Sequence, residues 1–524
     1  MNSHISKLVA AIAQPFGTLP SFVQMQAALR PDHAALIHGE RRIAWRAFDA
    51  LVDRVAATLQ ARGVAAQETI AICAANSIEY VAVFLGSLRA GIVVTPLAPN
   101  ATADSLDMMV RDSGTKILFI DAAAAAHLSS LSDPAPILRV ALDGSDIAEP
   151  FDRWLLSDGS VPKAVDILPA WGFNIIYSSG TTGTPKGIVQ PHSLRWMQMN
   201  AQDPPGYGPD AISLVSTGLY SNTTLTSVIP TLSGGGTLVL MDKFDVRDFL
   251  DLSERHHVTH AMLVPVQYQR LLAHPEFDRF DLSAYVMKFC TSAPFSAKLK
   301  RQVLDRWPGG LTEYFGMTEG GGSCWLLAHE HPEKLHTVGQ PIPGHDLRVI
   351  GENGQELPPG EAGEIVGHSE AIMTGYHNRP DKTSEAEWFA PDGRRFIRTG
   401  DVGRFDEDGF LTLMDRKKDM IISGGFNMYP SDLEAVARQH PAVEDVAVVG
   451  VPSDEWGETP VAFVVSGSAS ADEVKAFVNT RVGKTQRLAD VRLTTALPRS
   501  HIGKVLKREL RDSYKPLSQE SGRR

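Results

Sequence analysis

Residues 177 to 187 read Tyr-Ser-Ser-Gly-Thr-Thr-Gly-Thr-Pro-Lys-Gly. Ser178, Ser179, Thr181 and Thr182 sit beside Gly180 and Gly183, and Lys186 follows Thr184 and Pro185. Glycines let backbone N–H groups turn toward an anion, hydroxyls add donors, and the ammonium adds charge. The stretch suits a phosphate-holding loop, with a polar surface loop as the alternative. It is not the Walker arrangement, because Pro185 stands where that pattern needs its second glycine. Four later stretches can do related chemistry. Glu313-Tyr314-Phe315-Gly316-Met317-Thr318-Glu319 offers rings that can stack on a purine, a hydroxyl for a phosphate oxygen, and a hard carboxylate of the kind Mg²⁺ prefers. Asp401, in Arg398-Thr399-Gly400-Asp401, can accept two ribose hydroxyls or simply cap a turn. Ser423-Gly424-Gly425-Phe426-Asn427 leaves room where side chains are absent, or makes a tight turn. Pro498-Arg499-Ser500-His501-Ile502-Gly503-Lys504 ends in a compact ammonium that can lie between two anions.

These residues need elements to hold them. Phe173 to Ile176 reads as a buried strand feeding the first loop. Residues 31 to 121 alternate strands with helices. Thr69–Cys73, Ile92–Leu97 and Lys116–Ile120 are strands, and Phe48, Leu51, Val52, Val55, Ala56 and Leu59 mark one helical face. The alternation resumes with Gly236–Leu240, Val246–Glu254 and Ala261–Val264, and predicts a layered α/β domain with largely parallel sheets. From about Gly344 the strands shorten and turns multiply, as in a β-rich subdomain. The charge run Asp415-Arg416-Lys417-Lys418-Asp419 marks a boundary. Beyond it, Ser431 with Glu434 has capping-box spacing, and strands at Val446–Gly450 and Val461–Val465 with a helix at Asp472–Arg481 predict a small α+β domain. The expected division is 1–415, a hinge at 416–419, and 420–524.

The 524 residues are too many for one core. With 43% apolar and 21% charged residues the composition is that of a folded globular chain. A net charge of −11 argues against nucleic acid as a partner. Cys73, Cys290 and Cys324 lie far apart, without metal or disulfide spacing, as expected in a reducing cytoplasm. The apolar run Leu8–Ala13 is too short for a signal peptide, and no stretch reaches the ~20 apolar residues of a membrane span. His256 and His260 lack the glutamate a zincin needs, and His329, His331 and His336 have no second ligand cluster. No Gly-x-Ser-x-Gly elbow is present.

The 177–187 loop and the stretches after it resemble, in order and over nearly the whole chain, the adenylate-forming superfamily. Its members are acyl-CoA synthetases, amino-acid adenylation domains and firefly luciferase. The resemblance implies a ligase that uses ATP, Mg²⁺ and coenzyme A. A carboxylate attacks the α-phosphate of ATP, giving an acyl-adenylate and pyrophosphate, and the CoA thiol then displaces AMP. By resemblance, residues 178 to 186 hold the β- and γ-phosphates, and Tyr314 or Phe315 lies against adenine with Ser292, Ala293 and Pro294 on its other face. Thr318 meets the α-phosphate, Glu319 reaches the metal, Asp401 and Arg416 hold the ribose, and Lys504 bridges carboxylate and α-phosphate. Gly424 and Gly425 border the pantetheine tunnel. Lys418 is the pivot of a mobile C-terminal domain. The acyl pocket draws on Tyr220, Ser221, Gly320 and Cys324. Many CoA ligases have Phe-His where Leu219-Tyr220 stands, so that histidine's role has no counterpart here. Ser221 and Asn222, with no acid beside them, disfavour amino acids and suit a small, branched, hydroxylated or aromatic acid. The rivals are an enzyme loading a carrier-protein pantetheine and a catalytically silent nucleotide-binding protein. Oligomeric state is not legible in the sequence, a homodimer being one option.

Overall fold

The computed structural model describes residues 3–129, 131, 135–178, 185–200, 207–416, 419–423, 426–453, 457–483, 486–499 and 505–514. The chain falls into two compact units. One comprises Met1–Leu335, Pro341–Asp346 and Gly367–Ile397, and the other His336–Gln340, Leu347–Val366 and Arg398–Arg524.

The first unit is built on two sheets. One runs in the order Gly375–Tyr376, Lys186–Pro191, Gly172–Ser178, Val93–Pro96, Thr69–Cys73, Ile117–Ile120, Leu138–Ala141 and Glu149–Pro150. Its strands from Gly172 outward are parallel, while Lys186–Pro191 and Gly375–Tyr376 are antiparallel additions. The other sheet orders Cys324–Leu327, Gly310–Phe315, Met287–Cys290, His260–Leu263, Ile212–Val215, Thr237–Leu240, Ala34–His38 and Arg41–Ala44.

Thr69–Cys73 shows why a central strand of the first sheet reads as a nearly continuous apolar run. Successive side chains alternate faces. Ile70 and Ile72 enter a core shared with the helices Leu19–Leu29, Trp45–Ala61 and Ile78–Arg89 and with Leu36 and Leu238 of the other sheet. Ala71 and Cys73 enter a second core with Leu106, Met109 and Val110 of the helix Ala103–Asp112. Both faces are covered, so both residue sets are apolar. The helices between the sheets pack closely. A Cβ on Gly86 would come within 2.5 Å of Val55 Cγ1. All three cysteines are buried, and burial pushes each thiol up from its ordinary value.

In the second unit, Val443–Ser453 pairs antiparallel with Gly457–Ser466, which pairs parallel with Asp490–Leu493. Val446, Val448 and Val464 face one core with Leu433, Val474 and Val478, while Val449, Val461 and Phe463 face another with Leu497 and Leu510. The expected capping box at Ser431 does not form. The helix starts at Pro430 with Tyr429 as its N-cap and no side-chain cap bond. Proline at the start of the helix lacks one of the N–H groups that a helix N-terminus otherwise leaves unpaired. Glu434 instead accepts from Val448 N at 2.9 Å and pairs with Lys507 at 3.0 Å. The expected strands and the helix near Asp472, now Ala471–Asn479, are present, and that helix has its own capping box at Ser470 and Glu473.

Two buried imidazoles in the first unit make acid stability testable. His192 packs edge-on to Phe173, and His260 stacks on Tyr207. Burial lowers both to about 4. The rings are neutral in the fold but take protons when unfolded below pH 6.5, so stability held above pH 6.5 falls as pH drops toward 4. Each ring should contribute a loss of about 3 kcal/mol over that interval. Urea unfolding of the His192→Phe variant should show a shallower fall than wild type between pH 7 and 4.5. Parallel curves would remove this ring as a cause.

Candidate active site

The hairpin of Gly172–Ser178 and Lys186–Pro191 sets Tyr177 opposite Gly187 and Ser178 opposite Lys186. This register fixes both ends of the glycine–threonine loop. Ser179, Gly180, Thr181, Thr182 and Gly183 lie outside the described residues, and Ser178 is described in its backbone. Gly187 makes room for the hairpin's first strand, since a Cβ there would lie 2.8 Å from Ile175 Cγ2 and 3.1 Å from the Tyr177 ring. The Tyr177 hydroxyl donates to Asp112 at 2.6 Å.

On the hairpin's open edge, Tyr376 pairs with Ile188 and Gly375 with Val189. Lys186 is two residues from Ile188 and therefore on its face. Its Nζ lies 5.0 Å from the Tyr376 ring centroid, a cation–π distance. The Tyr376 hydroxyl donates to Glu319 Oε1 at 2.8 Å. Burial, then the Glu319 charge and this bond, push the phenol well above its usual range, so it stays a donor. Glu319 is held in turn by backbone. Its carbonyl accepts from Met373 N at 2.8 Å, and Gly321 N donates to Ala371 O at 2.9 Å. Gly320 has φ +71°, and a Cβ on it would strike Ala371 O. The structure thus brings Lys186 and Glu319 to the same tyrosine.

Thr318 is fixed through its carbonyl, which accepts from Gln190 Nε2 at 2.6 Å. Gln190 belongs to a buried amide cage around Arg195, whose side chain is fully enclosed. Arg195 donates to Asn174 Oδ1 at 3.1 Å, Asn222 Oδ1 at 2.9 Å, Gln198 Oε1 at 2.8 Å, and Gln190 Oε1. Burial lowers the guanidinium to about 9, so it remains a cation at neutral pH. Among the described residues it forms no ion pair with a carboxylate.

Ser292 occupies the left-handed region at φ +79°, uncommon for a residue with a Cβ, and its hydroxyl is 2.6 Å from that of Thr223. Ala293 is half-buried and Pro294 exposed beside it. Tyr314 is half-buried and stacks on Phe289 at 6.0 Å, whereas Phe315 is buried. Met317 packs against Ile188, Met373 and Ile397. A Cβ on Gly316 would meet Ser323 Oγ at 2.6 Å. Glu313 is buried against Lys300, whose ammonium also donates to Leu335 O at 2.8 Å. Burial raises its carboxyl to about 7, opposed by the lysine's charge. Tyr220 is half-buried over Gly218, next to Ser221, and Cys324 is buried at the start of Cys324–Leu327. In the second unit, Asp401 stands opposite Arg416 in strand register, after Gly400 at φ +68°. Lys418, Gly424, Gly425 and Lys504 lie outside the described residues, and Arg416 is described in its backbone.

Tyr376 and the cage of Asn174, Gln190, Arg195 and Asn222 were not foreseen. A signal for Tyr376 exists in Gly375-Tyr376-His377-Asn378-Arg379-Pro380, where an aromatic residue follows glycine just before a turn and a helix-opening proline. No signal links Arg195 to residues far from it in sequence.

Residues 23–377 match the AMP-binding enzyme family, and 432–504 match the AMP-binding enzyme C-terminal domain. The chain belongs to the AMP-binding enzyme family. Feruloyl-CoA synthase of Amycolatopsis is 34% identical, over 95% of this chain and 99% of its own. Indoleacetate–CoA ligase of Aromatoleum aromaticum is 31% identical over 94% and 97%. The structure of ATP-bound MatB from Rhodopseudomonas palustris superposes with a TM-score of 0.84 at 28% identity, over 96% of this chain and 100% of that one. This AMP-binding enzyme is an AMP-forming acid–thiol ligase of the adenylate-forming superfamily, with ATP, Mg²⁺ and coenzyme A as its cofactors. Among the described residues no helix is long and apolar enough to cross a membrane.

Glu319 suits Mg²⁺. Among the described residues no cluster of three or more His, Cys, Asp or Glu could cage a metal. Mg²⁺ bound through one carboxylate together with substrate phosphates needs no such cluster. The ion would neutralise phosphate charge, and Tyr376 would orient the carboxylate toward it. A hydrogen bond to a charged group contributes about 1.5–3 kcal/mol. Tyr376→Phe keeps the ring under Lys186 but removes this donor. Its kcat/KM for MgATP should fall about tenfold or more, with Tm little changed. Wild-type kinetics across a Mg²⁺ titration would show that the hydroxyl does not orient Glu319.

Proposed function

We propose that this AMP-binding enzyme joins an aromatic carboxylic acid to coenzyme A. The observation that carries the acid class is a ladder of rings ending at Tyr314. Tyr207 stacks on His260 at 4.7 Å and on Phe289 at 5.6 Å, and Phe289 stacks on Tyr314 at 6.0 Å. Met262 and Met287 pack with them. A flat, polarisable wall favours a flat acyl group. Ser221 beside Tyr220 supplies a polar group for a ring substituent. The acyl groups named for the two relatives, feruloyl and indoleacetyl, both carry aromatic rings.

In the first step a substrate carboxylate oxygen bonds to the α-phosphorus and pyrophosphate leaves. The loop at 178–186 would hold the β- and γ-phosphates, with Ser292, Ala293, Pro294, Tyr314 and Phe315 around adenine and Asp401 and Arg416 at the ribose. Lys504 would lie between carboxylate and α-phosphate, lowering repulsion between like charges. In the second step the thiol sulfur bonds to the acyl carbon, its proton passes to solvent, and AMP leaves. The same cleft serves both steps. We therefore assign 416–419 as a hinge turning at Lys418, residues 1–415 and 420–524 as the bodies it joins, and Gly424-Gly425 as the border of the pantetheine path. Three separated cysteines accord with work in the cytoplasm.

AMP release should be compared across aryl, short branched and long alkyl acids, with coenzyme A as acceptor. The highest kcat/KM is expected with an aryl acid, and a long alkyl acid ranking first would overturn the assignment. Lys504→Ala should cut adenylation about a hundredfold or more, yet leave thioester formation from supplied acyl-adenylate largely intact. Equal loss in both half-reactions would remove Lys504 from its role.

A further inference from the structure

The cage around Arg195 dictates the orientation of one amide at the border between the acyl and nucleotide segments. A guanidinium has five donors and no acceptor, so any amide touching it must offer oxygen. Asn222 Oδ1 receives Arg195 Nη2 at 2.9 Å and Gln190 Nε2 at 3.3 Å. The usual ambiguity between amide oxygen and nitrogen is thereby removed. Nδ2 consequently points out of the cage, and among the described residues it has no hydrogen-bond partner. Asn222 is half-buried, not enclosed. It lies between Ser221 and Thr223, and Thr223 is bonded to Ser292 of the adenosine segment at 2.6 Å. Gln190 joins Asn222 to the carbonyl of Thr318, the neighbour of Glu319.

We infer that Asn222 Nδ2 is a fixed donor to the reacting carboxylate of the acid, and that Arg195 is the positioning residue that aims it. This rests on the ligase reading above. One feature calls for an acceptor, and a second favours an anionic one. The exposed side of the amide can only donate. Behind it lies a buried cation with no carboxylate partner among the described residues, and its field favours negative charge nearby. The location favours the carboxylate over a ring substituent, because the acid's reacting end must lie where acyl and phosphate segments meet. Arg195 itself is sealed behind Asn174, Gln190 and Asn222, so it acts through the amide.

Substitution at Asn222 separates this role from a structural one. Asn222→Asp keeps an oxygen for Arg195 and strengthens that contact, but replaces the outward donor with an acceptor. Asn222→Ala removes both. A purely structural role ranks Asp above Ala, and a donor role ranks Ala above Asp. With the best acid from the panel, Asn222→Ala should lose about tenfold in kcat/KM for the acid, and Asn222→Asp about a hundredfold, the range for a hydrogen bond to a charged group. KM for ATP should change less than about twofold in each, and Asn222→Asp should unfold at or above the wild-type Tm. Asp performing as well as Ala, or the loss falling on KM for ATP, would overturn the donor assignment alone. Wild-type protein without acid-dependent AMP release would bring down the ligase reading and this assignment together.

Discussion

A site for a polyanion and its metal needs a cation and a carboxylate close together, and left alone those two neutralise each other. Tyr376 resolves this conflict. Its ring faces the Lys186 ammonium and its hydroxyl holds the Glu319 carboxylate. Among the described residues Lys186 forms no ion pair. Each charge is oriented by the tyrosine without being cancelled by it, so each remains available to a ligand. The arrangement depends on backbone register. Tyr376 is paired to the lysine's strand at Ile188, and Glu319 is stitched to residues 371–373. A slip of one residue would turn Tyr376 to the other face.

The same logic of partial satisfaction governs the Arg195 cage. A buried cation usually demands a carboxylate. Here neutral amide oxygens from Asn174, Gln190, Gln198 and Asn222 solvate it. Every amide around it is oriented by the absence of any acceptor on the guanidinium. The result is a polar core joining the hairpin of Gly172–Ser178 and Lys186–Pro191 to the Thr318 carbonyl and to the start of the helix Asn222–Gly234.

Much of this was legible from residue types. The strand Thr69–Cys73 announces itself because both its faces are buried, leaving a nearly continuous apolar run. The loop, Glu319 and the aromatic pair at 314–315 stand out by unusual composition. Contacts between distant segments did not. Tyr376 meets Glu319 across 57 residues, and Arg195 meets Asn222 across 27. Nothing local specifies such pairings, which arise from sheet order. The capping-box reading at Ser431 failed for a related reason, since Glu434 is claimed by Val448 and Lys507 of its own unit.

The three sequestered cysteines have a practical consequence. A catalyst that generates an activated acyl group risks acylating itself at any accessible sulfur. Cys73, Cys290 and Cys324 are enclosed and kept protonated, so the incoming cosubstrate is the sulfur nucleophile on offer. The same concealment turns them into reporters. An alkylating reagent reaches them when the surrounding layers part, and its rate of incorporation counts those openings in the native protein.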